Sequence, residues 1–243
     1  MSKDLDDPRR DFLVKALGLG LFAGPNLVSL LQPGYALGDV PGKLPKGRSI
    51  YKLQGSVTVN GKVADISTHV GPNSRIKTGS NSLLIFVVAN DAFILRSNSQ
   101  LEMGSSDNLI IDGIRILSGR LLSVFGKRKK PHTITTSTAT IGIRGTGMYL
   151  ESDPEKSYIC TCYGHTHIVA NADPSISLDV VTEYHDEPFY VLPAATSGGK
   201  LIVPAPVINH TDSELVLVEE LVGRAPPFGN RDGGYGVTHK YDK

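Results

Sequence analysis

From Ile50 onward the chain alternates brief apolar runs with turn residues. Gly55-Ser56-Val57-Thr58-Val59 alternates in polarity and runs into Asn60-Gly61, the strongest short hairpin signal. Apolar runs of strand length follow at residues 76–80, 83–88, 92–96, 101–103, 109–111, 114–117 and 121–124. Lys127-Arg128-Lys129-Lys130-Pro131 then interrupts with charge, and residues 133–140 resume with β-branched side chains. Strands this short and this regularly spaced predict an all-β sandwich or β-solenoid-like body, not βαβ units.

One segment has helical period. Thr211-Asp212-Ser213-Glu214 fits a capping box, Leu215, Val218, Leu221 and Val222 recur on one face, and Gly223 stops the run. This predicts a short amphipathic helix near 212–222 packed on the β body. Residues 224–243, rich in Pro, Gly and charge, read as a loose tail.

The N-terminus has a different pattern. Arg9-Arg10-Asp11-Phe12-Leu13 precedes a mildly apolar stretch at residues 16–31, and Gly34-Tyr35-Ala36 puts small residues where a signal is cut. The arginine pair resembles a twin-arginine export signal. Pro25-Asn26 interrupts the stretch, which falls short of the roughly 20 apolar residues of a membrane span. The expected layout is a signal at 1–36, a β domain at 37–150, a C-terminal β region with one helix at 151–223, and the tail. The mature protein would be periplasmic and soluble, with membrane contact only through a retained signal segment.

Composition adds one exclusion. Lys plus Arg (25) nearly cancels Asp plus Glu (24), so no global field argues for nucleic acid as partner. There are 26 Gly and 15 Pro and no Trp, a mix that suits many turns.

Several motifs then fall in a familiar order. The Gly55 to Gly61 hairpin, the Val70 to Gly79 turn and strand, residues 93–99 and Gly119-Arg120-Leu121 resemble successive parts of FecR domains. Thr138-Ala139-Thr140-Ile141-Gly142-Ile143-Arg144-Gly145-Thr146 resembles the motif that closes that domain. Arg144, Gly145 and Thr146 read as structural, with glycine allowing close backbone approach and arginine tying loops. The resemblance covers about residues 50–150 and implies an exported, non-catalytic binding, interaction or sensing module whose partner is an envelope protein or glycan. The best-known members relay an iron-siderophore signal to a sigma factor. Residues 151–243 do not resemble their signalling-receptor part, so that role is not carried over.

Candidate chemistry lies beyond the resemblance. Cys160-Thr161-Cys162-Tyr163-Gly164-His165-Thr166-His167 reads as strand, two-residue turn and strand, with Cys162 opposite His165 and Cys160 opposite His167. Two thiols and two imidazoles form the ligand set of a tetrahedral transition-metal site such as zinc. The set expected to converge best is Cys160, Cys162, His185 and His210, with His165 and His167 as local alternatives. A metal- or redox-active exported protein is therefore the alternative function. A disulfide, two buried thiols, or a cysteine nucleophile served by His185 remain open beside it. No Gly-x-Ser-x-Gly, phosphate loop or His-Glu-x-x-His occurs, so no catalytic residue is assigned.

Replacing Arg9 and Arg10 with lysine is expected to hold the precursor in the cytoplasm with residues 1–36 attached. Unchanged export of the double variant would remove the twin-arginine assignment.

Overall fold

A computed structural model describes residues 42–127, 132–185, 187–196 and 198–228. The expected signal at 1–36, with Arg9 and Arg10, lies outside the described residues. The remainder is β-rich, as the strand spacing predicts, with one helix among the described residues. Strands run in order β1 (Ile50–Gln54), β2 (Val57–Val59), β3 (Lys62–Val63), β4 (Arg75–Thr78), β5 (Leu83–Val88), β6 (Asp91–Leu95) and β7 (Gln100–Gly104). They continue with β8 (Gly113–Val124), β9 (His132–Thr135), β10 (Ala139–Asp153), β11 (Lys156–Ala170), β12 (Ser177–Thr182), β13 (Phe189–Val191) and β14 (Ile202–Pro204), and α1 spans Asp212–Leu221.

All strands join one open sheet of path β14-β13-β11-β10-β9-β8-β7-β4-β2-β3, with β6 and β5 branching from β8, β1 from β5, and β12 from β11. Pairing is antiparallel except between β8 and β9. Asn60 and Gly61 both take positive φ, 52° and 78°, and turn β2 into β3, as the Asn-Gly signal requires.

The three long strands share one device. In β8, Ile114 and Ile116 lie in the same apolar core as Leu121, while Leu122 and Val124 lie in a second core. In β10 the first core takes Ile141 and Ile143, then Met148 and Leu150; in β11 it takes Ile159, then Ile168 and Ala170. Alternation along a strand has period two, so each strand changes parity once. Each change lies within two residues of a glycine of positive φ: Gly119 (96°), Gly145 (58°) and Gly164 (97°). Partners change there too: β8 passes from β7 to β6, and β10 from β9 to β8. The first core fills the inside of the curved sheet, and the second is covered by α1, through Leu215, Val218 and Leu221.

Three sequence expectations need correction. Residues 109–111 form no strand, because Asp107 Oδ1 accepts from the backbone N–H groups of Leu109 (2.8 Å) and Ile110 (3.1 Å) and folds them into a turn. The runs at 114–117 and 121–124 are one strand, β8, in which Gly119 pairs with Ser152 and makes no turn, while the irregularity lies at Leu117, opposite Gln100 and Leu101. Tyr163-Gly164 is likewise no hairpin turn: β11 runs straight through it and pairs with β10 across the turn at Pro154-Glu155. Proline at the second turn position favours that reversal. The register shifts twice: between Arg144 and Gly147, where Gly145 and Thr146 stand against Gly164, and between Gly147 and Met148, where Cys162 is the extra residue on β11.

The bulge is tightly built. A Cβ on Gly147 would stand 2.3 Å from the Tyr163 ring, and one on Gly164 would stand 2.8 Å from the Gly145 carbonyl. Thr146 Oγ1 donates to the His165 carbonyl at 2.9 Å, while the Arg144 side chain is exposed. Within the closing motif, Gly145 and Thr146 thus form the bulge. The start of the expected tail is anchored: Arg224 Nε donates to Glu219 Oε2 at 2.5 Å, and Phe228 packs on Tyr163 and Tyr184. Residues 229–243 lie outside the described residues.

Gly164→Ala is expected to destabilise the protein by about 1–3 kcal/mol through forced positive φ and the blocked carbonyl. Its urea midpoint should fall with unchanged slope; an unchanged midpoint would show that the bulge can relax freely.

Candidate metal centre

Cys160 and Cys162 sit two apart on β11, so both side chains leave the same face, here the one covered by α1. His185 follows β12 in a bend, its φ at 40° and its N–H donating to the Cys162 carbonyl at 3.0 Å. That bond sets the third donor directly over the Cys-x-Cys pair.

His210 arrives from a third segment. Tyr158 Oη donates to the Pro206 carbonyl at 2.9 Å and accepts from the Ile208 N–H at 3.2 Å. Asn209, at φ 59°, then turns the chain into the helix cap. The capping box is present: Glu214 N–H donates to Thr211 Oγ1, and the Thr211 N–H donates to Glu214 Oε2 at 3.0 Å. Arg96 Nη2 holds that carboxylate at 2.9 Å. Helix start, sheet and histidine are thereby one unit.

The ligand atoms of Cys160, Cys162, His185 and His210 all lie within 4.8 Å of one another. Both cysteines are free thiols at 0% exposure, and the histidines are 4% and 8% exposed. Cys160 Sγ is 3.7 Å from His185 Nδ1, and His185 Nδ1 is 3.0 Å from His210 Nε2. Zn–S and Zn–N bonds of about 2.3 and 2.05 Å at a tetrahedral angle imply separations of about 3.6 Å (S to N) and about 3.3 Å (N to N). These two separations stand close to that spacing, within a set whose members all lie inside 4.8 Å.

The outward nitrogens determine where the lone pairs point. His210 Nδ1 is 2.7 Å from the Ile208 carbonyl, an acceptor only, so this nitrogen carries the proton and Nε2 faces inward bare. His185 Nε2 is 3.2 Å from Asp212 Oδ1, an ion-pair distance with the N–H off the acceptor line. Asp212 is itself held by Tyr184 Oη at 2.7 Å. Tyr149 stacks on the His210 ring at 4.7 Å between centroids. Imidazole backed by carboxylate or carbonyl is the outer arrangement that orients metal-binding histidine.

Two inward lone pairs 3.0 Å apart repel unless a cation lies between them. With a proton there, burial opposes the charge on His185, but the Asp212 carboxylate and Cys160 hold its pKa up at about 9. Burial also raises the Cys160 thiol, yet the hydrogen bond from Cys162 and the neighbouring histidines bring it well below its ordinary value. Burial and the adjacent Cys160 push Cys162 well above. A thiolate–imidazolium pair has the composition of a nucleophile and its base, and here the sulfur is wholly buried.

His165 and His167 do not join the four. They lie farther along β11, half exposed, where both contact Asp179. Sequence reasoning missed Asp212, Tyr184 and Tyr149. The one available signal was an aspartate two residues beyond His210, inside the capping box.

No family model matches the chain, and no curated protein matches it. Two crystal structures of a proposed anti-sigma factor from Parabacteroides distasonis ATCC 8503, at 2.50 and 1.65 Å, are similar to it at 12% identity, with TM-scores of 0.44 and 0.43. Each match covers 54% of this chain and 58% of the other, so this chain spans a little over half the length of those structures.

In metal-free, reduced protein, Asp212→Asn is expected to lower the His185 pKa from about 9 toward its ordinary 6.5. Imidazole NMR titration reads this directly; an unchanged value would remove Asp212 as the group that holds His185.

Proposed function

We propose that this chain is an exported, non-catalytic binding or sensing module, its body held together by a closed zinc-type centre of Cys160, Cys162, His185 and His210. The observation that carries the metal reading is the inward convergence of four buried donors, each imidazole backed by a partner on its outer nitrogen. The FecR-like motifs in order and the Arg9-Arg10 pair support the envelope setting.

Charge balance favours a divalent ion. Two thiolates and two neutral imidazoles around M²⁺ give a neutral unit, the form a buried site tolerates best. A monovalent ion would leave a net negative charge beside Asp212. All four positions are filled by protein and closed to solvent, which is the pattern of structural sites, whereas catalytic ones keep a position open.

The centre would act as a clasp. It joins β11, the bend after β12 and the residue before the α1 cap. Structural zinc in small Cys/His units contributes on the order of 10–16 kcal/mol, comparable with the 5–15 kcal/mol or so of whole-domain stability. Metal loss would therefore loosen residues 183–222 from the second core.

Untagged, reduced protein folded in the cytoplasm is expected to carry one zinc per chain, and Cys160→Ser and Cys162→Ser should each abolish it. Because His185 and Cys162 must surrender protons to bind metal, apparent affinity should rise with pH through about 9, where His185 loses its proton. It should go on rising above that because the Cys162 thiol is held up by burial and the adjacent Cys160, with proton release seen as buffer-dependent heat in calorimetry. Hydrogen exchange should show α1 less protected after chelation. Absence of bound metal with α1 protection unchanged by chelator would leave the four residues as a buried polar cluster only.

A further inference from the structure

Beyond the closed centre, β11 carries a second donor set that shares no residue with it. His165 and His167 stand two apart, on either side of Thr166, which is buried against Thr161 at 2.7 Å between hydroxyls. Their rings are 41% and 47% exposed. Asp179 of β12 lies directly across from His167 in the ladder. One of its oxygens meets both rings, at 3.0 Å from His165 Nε2 and 3.1 Å from His167 Nδ1.

We propose that His165, His167 and Asp179 form a solvent-facing site for an exchangeable divalent transition-metal ion. Side chains two apart on a strand start about 6.7 Å from each other, yet here both rings lean onto one carboxylate oxygen. Each ring nitrogen thus already stands within about 3 Å of the carboxylate oxygen, and holding an ion requires both rings to swing from that oxygen toward a point shared by all three donors. Exposed rings can close the remaining gap by rotating about their side-chain bonds, since no core packing fixes them.

The chemistry sets the class of ion. Two imidazoles and a carboxylate suit zinc, nickel, cobalt or copper, and leave calcium and magnesium short of oxygen ligands. In the bound form each ring presents a bare nitrogen to the ion and carries its N–H on the other nitrogen, and Asp179 changes from hydrogen-bond acceptor to ligand. Three protein donors leave the fourth position to water, which is the open pattern of an exchangeable site. The closed centre has thiolates and no opening; this one has neither property. Their placement on one strand puts an open and a closed metal position on the same rigid element.

The test uses full-length, untagged, reduced and metal-free protein titrated with Co²⁺ alone, so that the first equivalent reports on the thiol-containing centre. A second equivalent is expected, without the near-ultraviolet thiolate-to-cobalt band and removable by brief dialysis against chelator. His165→Ala, His167→Ala and Asp179→Asn should each weaken that equivalent by at least about tenfold, the least that losing even an outer partner costs. All three positions are exposed, so circular dichroism should be unchanged. A second equivalent of unaltered affinity in these variants, or none in the parent, overturns the proposal. If the thiolate band never forms while the weaker equivalent does, the closed centre fails and this site stands.

Discussion

The bulge at Gly145–Gly147 opposite Tyr163–Gly164 is the constraint on which the rest of the structure depends. A strict period-two strand as long as β10 or β11 would keep every apolar side chain on one side from end to end. Changing parity once lets β11 supply the first core with Ile159, then Ile168 and Ala170, while Tyr158, Cys160 and Cys162 in its first half face the helix, as Tyr149 does from β10. The same bulge frees space over Gly147 for the Tyr163 ring, whose hydroxyl donates to Glu219 of α1. Burial and the nearby Glu219 carboxylate raise the Tyr163 pKa, so the phenol stays a donor. Arg224 closes that network onto Asn90. Glycine is required at 164 because the Gly145 carbonyl fills the space a Cβ would take, and at 147 because the Tyr163 ring does.

Much of the fold was legible because its signals are local. Asn60-Gly61 turns where it should, and Thr211 with Glu214 caps the helix, since both depend only on neighbours in sequence. The failures share a cause. Ser118-Gly119 and Tyr163-Gly164 have turn composition, but a glycine of positive φ serves equally in or beside a bulge, and only the partner strand decides between them. Leu109 and Ile110 have strand composition, yet they are exposed because Asp107 captures their N–H groups.

The candidate site divides along the same line. That two thiols and two histidines form a coherent ligand set follows from residue type alone, and Cys-x-Cys parity follows from strand geometry. The meeting of His185 and His210 over that pair needs the Cys162 carbonyl, the Tyr158 hydroxyl and the left-handed Asn209, none of which has a sequence signature of its own. The separation of His165 and His167 from the thiols follows from β11 running on where a turn was expected.

Asp212 connects these levels. As the first residue of α1 it occupies the positive end of the helix, where a carboxylate is favoured by roughly 0.3–1 kcal/mol. The same carboxylate lies against His185, and the cap preceding it follows directly on His210. Fraying the first turn would therefore remove the partner of one histidine and the anchorage of the other at once. Conversely, whatever cation binds between His185 and His210 stabilises that turn. Helix and centre are thus coupled through a short stretch of backbone, so a ligand-set change is felt as a helix change. Coupling of that kind ties the surface of α1 to the occupancy of the centre beneath it.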